Sequence, residues 1–62
     1  MKAQIRYVFE NKIEYFISFG TLIFEYVSGT KGEKYYCVIA YNEVGERRII
    51  DVTTITSITP LN

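Results

Sequence analysis

Residues 3 to 9 and 13 to 19 alternate between apolar and other side chains with a period of two, and no helix can present such a pattern as one face. Ala3, Ile5, Tyr7 and Phe9 alternate with Gln4, Arg6 and Val8, and Ile13, Tyr15, Ile17 and Phe19 alternate with Glu14, Phe16 and Ser18. Each segment predicts a half-buried strand. Between them, Glu10, Asn11 and Lys12 are expected to form a three-residue hairpin loop with Asn11 or Lys12 in the left-handed conformation. That loop pairs Phe9 with Ile13, Tyr7 with Tyr15 and Ile5 with Ile17, so the odd positions share one apolar face.

At Gly20 the apolar set changes phase, moving to Leu22, Phe24 and Tyr26. A hairpin turn through Phe19 and Gly20 would keep the apolar face continuous, but it would also set Glu14 opposite Glu25, an unfavourable pair. A long strand kinked at Gly20 is the competing arrangement. "SGTKGE", residues 28 to 33, reads as a turn-rich loop. Pairing across it sets Tyr26 by Tyr35, Phe24 by Cys37 and Leu22 by Ile39. "NEVGE", residues 42 to 46, predicts a further turn with Gly45 at positive φ. Residues 47 to 52 then return with Ile50 and Val52 beside Ile39 and Cys37. A short turn through Thr53 and Thr54 leads to a final strand at about 55 to 59, which Pro60 is expected to end.

The expected fold is therefore all-β, one domain over residues 1 to 62, a small antiparallel meander of five or six strands. It is expected to curl into an SH3-like barrel or half-barrel, because a flat sheet would leave one apolar face in water. Strand, short turn, final strand is how many SH3-like barrels end; the likeness is one of topology.

Size sharpens the problem of support. A chain of 62 residues buries only about 60% of its unfolded surface, so small domains need help from disulfides, metals, dense packing or association. One cysteine and no histidine rule out a disulfide framework within the chain and argue against a structural zinc. Aromatic packing and self-association remain, and a chain that is 48% hydrophobic and 16% aromatic supplies material for both. Seven basic residues balance seven acidic ones. No electrostatic footprint marks a nucleic-acid or membrane-surface protein, and a net charge near zero favours association. The N-terminal stretch lacks the apolar run of a signal peptide and no segment is long enough to span a bilayer, so a cytoplasmic protein with no membrane partner is expected.

The expected core face comprises Ile5, Tyr7, Phe9, Ile13, Tyr15, Ile17, Phe19, Leu22, Phe24, Tyr26, Tyr35, Cys37, Ile39, Ile50 and Val52. The opposite face mixes charges with Phe16, Ile23, Tyr36, Val38, Ala40 and Ile49. Phe16, Ile23 and Val38 would form a contiguous stripe across three strands, which nominates these six residues as an interface.

Chemistry finds little purchase. Cys37 has no histidine to activate it and is expected to be buried packing rather than a nucleophile. Glu14 and Glu25, if adjacent, would be a solvated pair, too few for a calcium cage. "GTKGE", residues 29 to 33, has no phosphate-loop spacing. Lys34, Tyr41, Arg47 and Arg48 could clamp a small anion, with arginine meeting phosphate and tyrosine stacking on a base. No catalytic, metal or cofactor signature is present. The leading expectation is a non-catalytic protein-interaction module that forms a homo-oligomer and regulates or inhibits a partner protein, in the manner of small proteins of phages and mobile elements. The alternatives are a small-ligand protein for a nucleotide-like anion, or a small nucleic-acid-binding barrel, the neutral charge weighing against a polynucleotide.

Overall fold

The structure, a computed structural model, describes residues 1–61. Six strands run in chain order: β1 (Lys2–Phe9), β2 (Lys12–Phe19), β3 (Ile23–Ser28), β4 (Lys34–Tyr41), β5 (Arg47–Asp51) and β6 (Ile55–Leu61), with a single 3₁₀ turn at Val52–Thr54 between the last two. They divide into two antiparallel three-stranded sheets, β2-β1-β6 and β3-β4-β5. The chain is all-β, as the alternation predicts, but the sheets do not close into a barrel and the meander is broken twice. β2 does not pair with β3, and β6 pairs with β1 rather than with β5.

The first departure begins at the β1–β2 turn. Only Glu10 and Asn11 form the loop, both at positive φ (50° and 64°). This is the two-residue turn whose twist matches that of the flanking strands. Lys12 joins β2, the register becomes Phe9↔Lys12, Tyr7↔Glu14 and Ile5↔Phe16, and the faces of β2 are exchanged relative to the sequence reading. A loop one residue shorter turns every side chain of a strand to its other face. Phe16 and Ser18 therefore lie beside Ile5 and Ala3 in the interior, while Ile13 and Tyr15, expected in the core, are exposed. Ser18 is buried and its hydroxyl has no hydrogen-bond partner among the described residues.

Gly20, at φ 84°, is neither a hairpin tip nor a simple kink. Its N–H donates to the Met1 carbonyl at 2.7 Å, which anchors the corner where the chain leaves the first sheet and enters the second. Glu14 and Glu25 consequently stand on different sheets, and the carboxylate pair does not form.

The same one-residue correction recurs in the second sheet. The β3–β4 ladder sets Phe24 opposite Val38 and Tyr26 opposite Tyr36, and β4–β5 sets Val38 opposite Ile50 and Ile39 opposite Ile49. The β4–β5 turn has Gly45 at φ 85°, as expected, and Asn42 secures it by accepting from the N–H groups of Val44 and Glu46 at 3.1 and 2.9 Å. Asp51 caps the 3₁₀ turn, accepting from the Thr53 N–H at 2.8 Å. Pro60 does not end β6. It sits opposite Ala3 on an edge strand, where a missing N–H costs no ladder bond.

The two sheets face each other across a core of Ile5, Tyr7 and Phe16 from the first and Val38, Ala40 and Ile50 from the second, with Leu22, Val52 and Ile55 packed at its margin. Of the expected core face, Ile5, Tyr7, Cys37 and Ile50 are buried; Phe9, Phe24, Tyr26 and Tyr35 join Ile13 and Tyr15 as exposed residues.

Candidate functional site

The six residues nominated as an interface fall into three groups. Phe16, Val38 and Ala40 are core residues, 6%, 0% and 0% exposed, so the stripe Phe16–Ile23–Val38 does not exist on the surface. The reason is the pair of register shifts: each moved one of these strands by a residue and carried its even-numbered side chains inward. Ile23 and Ile49 are exposed and flank Ile39 in one row across the outer face of the second sheet. Tyr36 is exposed on the opposite, inner face.

Tyr36 belongs to an aromatic cluster whose other two members, Phe24 and Tyr26, the sequence reading assigned to the core. On an antiparallel ladder, directly opposed residues share a face, so Phe24, Tyr26 and Tyr36 extend the same inner surface as the buried Val38. They are 46%, 70% and 44% exposed. Burial along the inner face of β4 explains why: Lys34 and Tyr36 are exposed, whereas Val38 and Ala40 are buried. The first sheet covers only the Val38–Ala40 end of the β3–β4 hairpin, and the other end projects past it in a molecule 39 Å long and 16 Å thin. Tyr26 and Tyr36 rings lie 4.8 Å apart, Phe24 and Tyr36 6.1 Å apart, within the range of favourable aromatic pairs. The core-type face thus continues into solvent as a preformed aromatic surface. No period-two pattern distinguishes it from the core, because both lie on one face of one hairpin.

The four nominated ligand residues do not converge. Tyr41 and Arg47 oppose each other at one end of the second sheet, whereas Lys34 starts β4 at the other end, roughly 23 Å away for seven residues of extended chain. Arg47 and Arg48 point to opposite faces, as neighbours in a strand must. Arg48 faces the interior with Ala40 as its register partner. Its guanidinium lies 4.9 Å from the Phe16 ring centre and Nη1 donates to the Tyr7 hydroxyl at 2.8 Å. The buried Tyr7 hydroxyl is thereby satisfied, and the arginine is held by a cation–π contact and a charge-assisted hydrogen bond. A cleft of about 300 Å³ opens beside it, lined by Tyr7, Phe9, Glu14, Arg48 and Ile49. The sequence reading singled out Arg48, but only the fold associates it with Tyr7, Phe16 and Glu14.

Cys37 is buried, and its Sγ lies 3.6 Å from the Tyr35 carbonyl oxygen. Burial pushes its thiol pKa up, and the carboxylate of Asp51, its register partner, adds to the shift. Both effects disfavour the thiolate, the form a nucleophile requires. Its cross-strand neighbours are Glu25 and Asp51 rather than Phe24 and Val52. Among the described residues no three His, Cys, Asp or Glu side chains gather as a metal site. No helix among them is long and apolar enough to cross a membrane.

Fold and surface together define a class, a small all-β protein of two facing three-stranded antiparallel sheets with one aromatic hairpin face left open. The chain matches no protein-family model, no curated protein and no solved structure.

Proposed function

We propose that the protein is a non-catalytic, cytoplasmic protein-interaction module that self-associates and regulates or inhibits a partner protein. The observation that carries this reading is the open aromatic face of the β3–β4 hairpin. Phe24, Tyr26 and Tyr36 form a contiguous apolar group with polar tips, the composition that interface centres favour, on a chain whose net charge offers no repulsion between copies. The homo-oligomer expected from the sequence is retained with a different surface, since Phe16, Val38 and Ala40 are buried within the chain. The reading is tested by light scattering coupled to size-exclusion chromatography over a range of loading concentrations. The wild-type mass should rise with concentration, and Tyr26→Glu should remain folded while staying at monomer mass. A wild-type chain that stays monomeric at every concentration would sink self-association.

A second reading, a small-ligand protein, draws support from the cleft beside Arg48, whose position is fixed by Tyr7 and Phe16. Glu14 on the same cleft disfavours a polyanionic ligand such as a nucleotide and suits a ligand with a single carboxylate. A thermal-shift series of simple carboxylates against nucleotides separates these cases, with an unchanged melting temperature throughout counting against the ligand reading.

A further inference from the structure

Both sheets are open, so the structure has four edge strands: β2, β6, β3 and β5. An edge strand offers a row of unpaired backbone groups to any strand that docks on it, and proteins blunt such edges with charges, proline or brevity. Three of the four edges are blunted in this way. β6 contains Pro60; β2 carries Lys12 and an inward-facing Glu14; β5 is five residues long and three of them, Arg47, Arg48 and Asp51, are charged. β3, Ile-Phe-Glu-Tyr-Val-Ser, has no proline, no bulge in its ladder and one charge, Glu25. It is also the strand that presents Phe24 and Tyr26.

We infer that the occupant of this edge is β3 of a second copy, paired antiparallel about a two-fold axis beside Tyr26, so that two β3-β4-β5 sheets become one six-stranded sheet. The inference rests on the self-association proposed above and specifies how it occurs. Symmetry restricts the register. A two-fold axis perpendicular to the sheet keeps inner face with inner face, so each residue must oppose one of the same parity, and the residue at the axis must oppose itself. Centring on Glu25 would oppose two carboxylates directly, which cross-strand energetics disfavour. Centring on Phe24 would overlap only residues 23 to 25, since β3 begins at Ile23. Centring on Tyr26 overlaps residues 24 to 28, sets Glu25 opposite Val27 of the second copy, and extends the Tyr36–Tyr26 pair into a four-tyrosine row across the joint. At about 200 Å² for an aromatic side chain and the exposures given above, the cluster leaves roughly 320 Å² bare per copy. That is below the roughly 800 Å² per partner of a standard stable interface, so the dimer is a weak one that dissociates on dilution.

The charge at the joint provides the test. Sedimentation velocity over a dilution series should give dimer dissociation constants for the wild type, Val27→Lys, Glu25→Gln and Thr59→Lys. Thr59, on β6 of the other sheet, controls for the added positive charge. With Tyr26 at the axis, Val27→Lys creates two Glu–Lys cross-strand pairs and should tighten the dimer by roughly threefold to tenfold, while Thr59→Lys should not. Tightening by Glu25→Gln with none by Val27→Lys would place Glu25 at the axis and overturn the register. Dimers indifferent to both substitutions would overturn the edge pairing while leaving self-association standing. A monomer at all concentrations would remove both. Should Val27→Lys fail to fold by circular dichroism, hydrogen exchange on the wild type decides the matter: β3 amides gain protection with concentration if the pairing is right, and lack of any such gain overturns it.

Discussion

Phe16 and Phe24 have exchanged the roles that alternation assigns them. Phe16 is packed with Ile5 and Val38 in the core, and Phe24 stands nearly half exposed. Phe16→Ala should therefore cost about 3–5 kcal/mol, the cost of emptying a buried aromatic site, whereas Ile13→Ala at its exposed position should cost well under about 1 kcal/mol. Urea denaturation of the two variants measures this directly, and equal losses would contradict the register of β2. Cys37 is a second residue whose environment is testable. Its folded-state pKa is raised, so as pH climbs through the ordinary value of 9.0 the unfolded chain loses the thiol proton first and unfolding is favoured. The wild type should lose stability above about pH 8–9 relative to Cys37→Ala. Parallel pH profiles of the two melting temperatures would show the thiol to be unperturbed. The sequence led to the burial of Cys37 but not to its surroundings, since its cross-strand neighbours are Glu25 and Asp51 instead of the apolar residues expected.

Strand identities were legible because β-branched and aromatic residues crowd windows bounded by turn signals, and every strand of the structure overlaps a segment so marked. Face assignments were not, and the cause lies in the turns. "FENKI" can close as a three-residue loop with one left-handed residue or as a two-residue loop with two, and the choice inverts β2. The observed turn asks Glu10, a residue with no preference for positive φ, to sit at 50°. The left-handed region costs a non-glycine residue roughly 1–2 kcal/mol, which is why the shorter loop was not evident. Glu10→Gly should relieve that strain and stabilise the protein by about 0.5–1 kcal/mol. A loss of stability by thermal denaturation would instead indicate that Glu10 is not held at positive φ. The β4 strand was harder still. With apolar residues on both faces, its sequence did not oppose a one-residue slip, and the correct register became evident only once Val38 and Ala40 were seen beneath the first sheet.

At the scale of the whole molecule, the second sheet has two exposed apolar surfaces, the aromatic face of β3–β4 and the aliphatic row Ile23–Ile39–Ile49 on its outer side, and the first sheet exposes the opposed Val8 and Ile13 with Tyr15 beside them. The row is bordered by Glu25, Asp51 and Arg47 and has the form of ordinary cross-strand pairing, which stabilises a sheet without a partner. Ile49→Lys should accordingly leave the concentration dependence of the mass unchanged, while Tyr26→Glu abolishes it. The reverse result would move the interface to the outer face. By itself the sequence determined that the chain is all-β, about where five or six strands lie, and that its net charge is near zero. These follow from local preference, period and composition. Which face of each strand is core, which strand follows β1 across the sheet, and which aromatics are left bare were decided only in the tertiary structure. They depend on non-local pairing and on how far one sheet reaches over the other, quantities that no window of sequence contains.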